Sequence, residues 1–170
     1  MKYSKEQTKE LLLKIEISLR EYLLKHNIND PILIGIHTGG VWVADWLQKT
    51  MGFKGKAASL NISFHRDDYS KVGVNSGVEP TEMPFSVDDK HIILVDDVLF
   101  TGRTTRAAIN EIFDFGRPLS VTLVVLVERN GKELPISADI VGEILELEND
   151  KDIKLLGPEP MLLEITDKET

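Results

Sequence analysis

Hydrophobic positions along the chain follow two rhythms. Over residues 5–26, Leu12, Ile15, Leu19 and Leu23 recur about one helical turn apart with charges between them, which predicts an amphipathic helix. Elsewhere the apolar residues form short uninterrupted runs at 31–36, 92–95 and 121–127, rich in Ile and Val and bounded by polar turns. Such runs read as strands buried on both faces, the habit of a parallel sheet. Residues 57–64 are a further strand candidate, and 41–50 (VWVADWLQKT) read as a short helix. A second helix over about 104–115 stops at Gly116, with Pro118 beyond it. From Gly131 onward, short strand-like runs are separated by acidic turns. Strands alternating with helices of this size predict an α/β fold, a mainly parallel central sheet flanked by helices with right-handed crossovers. Residues 66–84 break the pattern, with Gly73, Asn75, Ser76, Gly77, Pro80 and Pro84 and few apolar positions. A loop of that length in a compact domain is usually a lid or disordered.

Composition narrows the class. A chain of 170 residues without repeats or low-complexity segments is one domain, long enough for a genuine core. The absence of cysteine removes disulfides, thiolate catalysis and cysteine-based metal sites, and is compatible with a reducing cytoplasm. The N-terminal stretch lacks the apolar core and cleavage site of a signal peptide. No apolar run approaches the roughly 20 residues that span a bilayer, so no membrane partner is expected. A formal net charge of −8 argues against a broadly basic surface that coats nucleic acid, while leaving room for a local basic patch.

Candidate chemistry concentrates in residues 91–105, HIILVDDVLFTGRTT. The apolar run Ile92–Val95 ends in two adjacent carboxylates, Asp96 and Asp97, at the carboxyl end of a predicted parallel strand, where ligands of such sheets bind. The turn after them, Thr101, Gly102, Arg103, Thr104 and Thr105, offers backbone N–H groups, hydroxyls and a guanidinium at the positive end of a helix, which suits a phosphate. Carboxylates just before a phosphate cradle point to a ligand with hydroxyls and phosphate, or phosphate and Mg²⁺, and a ribose 5-phosphate answers that description. Bland alternatives stand beside this reading. An acidic pair also ends ordinary strands, a receiver-type domain uses strand-end carboxylates for Mg²⁺, and one Thr is a good helix cap. The His37-Thr38-Gly39-Gly40 loop follows the first buried strand and so joins the same edge, unless it is a plain glycine turn. The four histidines are scattered, and His65-Arg66-Asp67 lacks zinc-ligand spacing.

The strand, acidic pair and Thr/Gly-rich turn resemble the phosphoribosyl pyrophosphate (PRPP) fingerprint of the type I phosphoribosyltransferases. ILIGIHTGGVWVADWL, ISFHRDDYS and FGRPLSVTLVVLVERNGKELPISAD extend the resemblance over residues from about 31 to 142. They point to the branch of that family that joins uracil phosphoribosyltransferase activity to RNA-binding attenuation of pyrimidine operons. The resemblance implies the family fold, with residues 1–170 as one domain, a lid at about 66–84 and a small irregular hood at about 128–142. It implies conversion of uracil and PRPP to UMP and pyrophosphate. By resemblance, Asp96 and Asp97 accept hydrogen bonds from the ribose hydroxyls and hold Mg²⁺ directly or through water. The 101–105 turn takes the 5-phosphate. Thr38, Gly39 and Gly40 bind pyrophosphate, and Arg66 on the lid joins them. Uracil lies under the hood (Val127, Glu128, Arg129 and residues 137–142), with Ile140 and Val141 packing on its ring, although a core role explains those two equally well. Ribose binding accounts for Asp97, so no general base is assigned. Self-association as a dimer or higher is also implied. The alternative function, an RNA-binding attenuator responsive to UMP and UTP, is expected to be weak. The family's familiar Lys-Thr-Arg-Gly loop has become His37-Thr38-Gly39-Gly40, and Gly131, Lys132 and Ser137 stand where His-Arg and a further basic residue are familiar. Lys14, Arg20 and Lys25 on the first helix are the best remaining source of a basic patch.

Overall fold

The computed structural model of the chain describes residues 2–62 and 81–168. Helix α1 (Lys5–Lys25) opens with a capping box, in which Ser4 Oγ accepts from the Gln7 N–H and the Gln7 side chain accepts from the Ser4 N–H. Its inward stripe is Thr8, Leu12, Ile15, Leu19 and Leu23, which includes all four positions predicted by periodicity. Strand β1 (Ile32–Ile36) leads into α2 (Gly39–Thr50), then β2 (Ala58–Leu60), β3 (His91–Leu99), α3 (Arg103–Phe115), β4 (Ser120–Arg129) and β5 (Ile140–Leu145). The last two strands, β6 (Lys151–Leu156) and β7 (Leu162–Asp167), pair antiparallel as a separate two-stranded sheet.

The main sheet has the order β2-β1-β3-β4-β5, and every pairing in it is parallel. Successive residues of each strand face opposite sides. Leu33, Ile93, Val95, Val124 and Ile140 join Ile15, Leu19, Val43 and Leu47 from α1 and α2 in one buried cluster. Ile34, Ile92, Leu94, Leu123 and Val125 join Ala107, Ala108 and Ile112 from α3 in the other. Helix α2 thus covers one face and α3 the other. The chain leaves β1 and β3 in opposite directions, and a crevice opens between their carboxyl ends, the topological switch point of this strand order. Among the described residues no helix is long and apolar enough to cross a membrane.

Three boundaries differ from the sequence reading in ways that matter for the site. Strand β3 does not end at the acidic pair but runs on to Leu99, because its ladder with β4 continues through Asp96↔Val125 and Val98↔Val127. Helix α2 begins at Gly39, so the two loop glycines form its first turn. The segment expected to be an irregular hood is divided: residues 128 and 129 finish β4, and 140–142 begin β5 as a fifth parallel strand. The ordered second layer comes from β6 and β7, which sequence patterning left as short runs. Ile153, Leu155 and Leu163 anchor it in the α1–α2 core, and Tyr3 N–H donates to Leu163 O at 2.9 Å.

Candidate active site

The ladder between β1 and β3 runs from Ile32↔Ile92 to Gly35↔Val95. Asp96 is therefore the first β3 residue beyond it, and β1 has by then turned away through His37 and Thr38, whose connecting peptide bond is cis. The glycines of α2 fill the gap so created. A Cβ built on Gly39 would stand 2.5 Å from Asp97 Cγ, and one built on Gly40 would stand 2.5 Å from Val95 O and 2.9 Å from Asp96 Cα. Real Cβ atoms do not approach so closely, so both positions require glycine for the helix to abut the carboxylates. Gly39 and Gly40 are thus brought against Asp97 and Asp96, with Thr38 just before them at the N-cap of α2. Asp96 is 4% exposed, and its Oδ1 accepts from the Asp97 N–H at 2.9 Å. Asp97 is half-buried.

Five residues beyond Asp97, Gly102 takes φ +91°, a left-handed conformation open to glycine at little cost, and turns the chain from β3 into α3. Gly102, at the N-cap of α3, makes no side-chain capping hydrogen bond. Thr101 Oγ1 accepts from the Arg103 N–H at 3.2 Å, while Thr101 and Thr105 are buried at 8% and 1% exposure. The Arg103 side chain turns to Glu133, with Nε 2.7 Å from its Oε2 and both side chains half exposed. The guanidinium, expected at the phosphate, here pairs with Glu133 through Nε.

Segment 130–136 packs on this turn. The N–H groups of Glu133 and Leu134 both donate to Thr101 O, at 3.0 and 3.1 Å. Leu134 Cβ and Ile136 Cβ each lie 3.4 Å from the position of a Gly102 Cβ. Glu128, expected near the base, has Lys132 Nζ at 2.6 Å. Ile140 is 5% exposed and belongs to the α1–α2 cluster, whereas Val141 faces the α3 side. Adjacent strand residues point to opposite faces, so the two do not share one apolar wall. Residues 66–80 of the expected lid, Arg66 among them, lie outside the described residues. Its final part is tied to β2: Glu82 and Ser59 exchange backbone hydrogen bonds at 2.9 Å, and Thr81 Oγ1 accepts from the Asn61 N–H at 2.9 Å.

Sequence reasoning missed Phe100, Gly131, Glu133, Leu134 and Ile136 as neighbours of the turn, and Gly131 alone offered a signal. Among the described residues no group of three or more His, Cys, Asp or Glu converges on a metal position. Asp96 and Asp97 offer oxygen donors only, a set suited to a cation such as Mg²⁺ that completes its shell with water and substrate phosphate. A separate groove of about 700 Å³ lies between α1, α2 and the β6–β7 turn, lined by Trp42, Trp46, Met161 and Lys9 among others, and contains none of the predicted site residues.

Residues 6–158 match the family described as phosphoribosyl transferase domain. The chain is 49% identical over 155 residues to the bifunctional protein PyrR of Pseudomonas paraeruginosa, covering 91% of each. It is 50% identical over 157 residues to the bifunctional protein PyrR of Nitrosococcus oceani, covering 91% of this chain and 89% of that one. A solved hypoxanthine phosphoribosyltransferase from Staphylococcus aureus superposes with a TM-score of 0.64 at 18% identity, over 91% of this chain and 86% of that chain. A purine phosphoribosyltransferase from Pyrococcus horikoshii gives 0.60 at 19% identity, over 85% and 89%. At those identities the superpositions speak for the fold alone.

Proposed function

Because the chain belongs to the phosphoribosyltransferase family, within its PyrR branch, we propose that it transfers the phosphoribosyl group of PRPP to N1 of uracil, yielding UMP and pyrophosphate. The observation that carries this reading is the contact of Gly39 and Gly40 with Asp97 and Asp96 at the β1/β3 crevice, four residues before a glycine-turned phosphate cradle. In the reaction, the bond from C1 of the ribose to pyrophosphate breaks as the bond to uracil N1 forms, and the proton lost from N1 passes to the departing pyrophosphate or to solvent. Positive charge develops on the ribose ring, and no enzyme nucleophile is needed.

The carboxylates of Asp96 and Asp97 orient the ribose hydroxyls and sit close enough to favour that charge. Backbone N–H groups of the Thr101–Thr105 turn hold the 5-phosphate, and those at the start of α2, with Thr38, Gly39 and Gly40, face the leaving pyrophosphate. Arg66 is proposed on sequence alone as a bidentate partner for that pyrophosphate. Asp96 and Asp97 would hold Mg²⁺, which when bound neutralises charge on the pyrophosphate. Val141 is proposed at the base subsite, and Ile140 as support behind it.

Base preference is tested by measuring nucleotide formation from PRPP and Mg²⁺ with uracil, cytosine, hypoxanthine and guanine. Uracil should be the preferred acceptor. Preferential turnover of a purine, or no turnover of any base, overturns the reading.

The relatives' name, bifunctional protein, motivates a second reading as an RNA-binding attenuator. Local contacts weigh against it. Lys14 Nζ donates to Gly142 O at 2.6 Å, Arg20 pairs with Glu16 at 2.8 Å, and Lys132 pairs with Glu128 at 2.6 Å. These cations are already engaged within the chain, so a phosphate would have to displace their partners.

A further inference from the structure

The strand end next to the phosphate turn carries a buried cation that the chemistry above does not use. Arg129, the last residue of β4, is 3% exposed. Its guanidinium carbon lies 4.2 Å from the centroid of the Phe100 ring. Its Nη1 donates to Lys151 O on β6 at 3.0 Å and stands 3.8 Å from Asp152 Oδ1. Phe100 is the single residue between the end of β3 and Thr101, and so joins the acidic pair to the phosphate turn. Gly131 makes room for it: its φ is +109°, and a Cβ there would stand 2.5 Å from Phe100 Cε2. From the same segment, the Glu133 and Leu134 N–H groups hold Thr101 O.

Stability alone does not explain an arginine here. Burial disfavours the charged guanidinium, and Asp152, at 3.8 Å, offsets that only in part. A well-packed aliphatic side chain would fill a strand end without that penalty. What arginine supplies is direction. Its guanidinium carbon sits over a ring face, while its fork reaches a carbonyl on a different sheet.

We propose that Arg129 is a positioning residue for the phosphoribosyl subsite: by holding Phe100 against the end of β4, which its bond to Lys151 O ties to β6, it fixes the spacing between Asp96/Asp97 and the Thr101–Thr105 turn. The clamp makes no contact with substrate. It sets how well one rigid ligand, carrying hydroxyls at one end and phosphate at the other, meets both subsites at once. This inference rests on the phosphoribosyltransferase reading given above.

The test is steady-state kinetics of Arg129→Met, Arg129→Lys and Phe100→Leu, singly and with Arg129→Met combined with Phe100→Leu, alongside thermal melts. KM for PRPP should rise on the order of tenfold in Arg129→Met and Phe100→Leu, with kcat and KM for the base changed far less. Arg129→Lys should recover part of the loss by restoring a cation over the ring. The double variant should be no worse than Phe100→Leu alone, because both changes release one contact. If Arg129→Met does not fold, Phe100→Leu and Arg129→Lys still report on the clamp. Folded variants with wild-type KM for PRPP, or single effects that add in the double variant, overturn the positioning role and leave the functional reading standing. A wild-type protein that turns over PRPP with no base overturns the functional reading itself, and this inference with it.

Discussion

The carboxyl end of β3 and the start of β5 lie in one sheet but are built from opposite materials. At β3, glycine meets the acidic pair: Gly39 against the Asp97 side chain and Gly40 against the main chain of Val95 and Asp96, so that a Cβ at either position forces a shift. At β5, aliphatic groups fill space, with Ile140 5% exposed in the core beneath α1. The first edge tolerates almost no change of residue type, because each atom has one possible neighbour. The second accepts any side chain of suitable volume. Chemistry is therefore expected to be concentrated at β3, and at β5 mainly packing.

The strongest way to break that contrast is to neutralise the acidic pair. Asp96→Asn and Asp97→Asn keep volume, and Asn at 96 retains an oxygen for the Asp97 N–H. Each should lower kcat/KM for PRPP by about 10²–10³ with the melting temperature nearly unchanged. Near-wild-type turnover in both variants would remove the carboxylates from the site. At the other edge, Ile140→Ala should cost about 2–4 kcal/mol of stability by denaturant titration while leaving KM for PRPP alone. A large rise in KM for the base at unchanged stability would instead make Ile140 a substrate contact and erase the distinction.

A smaller effect is expected from Gly39→Ala. The added methyl must displace the Asp97 carboxylate or the first turn of α2, so turnover should fall about tenfold, equivalent to ~1.4 kcal/mol of transition-state stabilisation. Asp97 is only half-buried and can move, which keeps the fold intact. Unchanged kinetics in this variant would mean that the close approach of glycine to carboxylate has no catalytic consequence.

The same contrast explains what could be read before the fold was in hand. The parallel sheet and its helices were legible because the buried runs at 31–36, 92–95 and 121–127 and the Leu12–Leu23 stripe each bury one continuous apolar surface. The grouping of Thr38, Gly39 and Gly40 with Asp96 and Asp97 followed from placing both loops at strand carboxyl ends. Two things were not legible. The β6–β7 layer mixes charged and apolar residues, as in KDIKLL and LLEITD, so its single buried face is easily taken for loose coil. The packing of 130–136 on the 101–105 turn depends on Leu134, Ile136 and backbone N–H groups, and neither aliphatic side chains nor main chain declare their partners in a sequence. The contact of Arg129 with Phe100 was hidden for a related reason: nothing in a sequence shows that a cation at a strand end is buried.

The smallest effect belongs to the second layer and should be visible only as a pH dependence of stability. Tyr3 bridges the N-terminus to β5, its hydroxyl donating to Glu143 Oε2 at 2.9 Å. Burial, and then the adjacent Glu143 carboxylate, push the phenol up from 10.0 to about 12. Below pH 10 the phenol is neutral in both folded and unfolded chains, and its contribution is fully present. Between pH 10 and about 12 the unfolded chain ionises while the folded one does not, so that contribution is lost as the pH rises through this window. Tyr3 is only partly buried, and solvent screening keeps the effect small. Denaturant midpoints at pH 9 and pH 11 should fall less steeply in Tyr3→Phe than in the wild type, with KM for PRPP equal in both proteins at neutral pH. An identical alkaline decline in the two would show that the Tyr3–Glu143 bridge does not couple to folding. A changed KM for PRPP would show that this layer reaches the β3 edge after all.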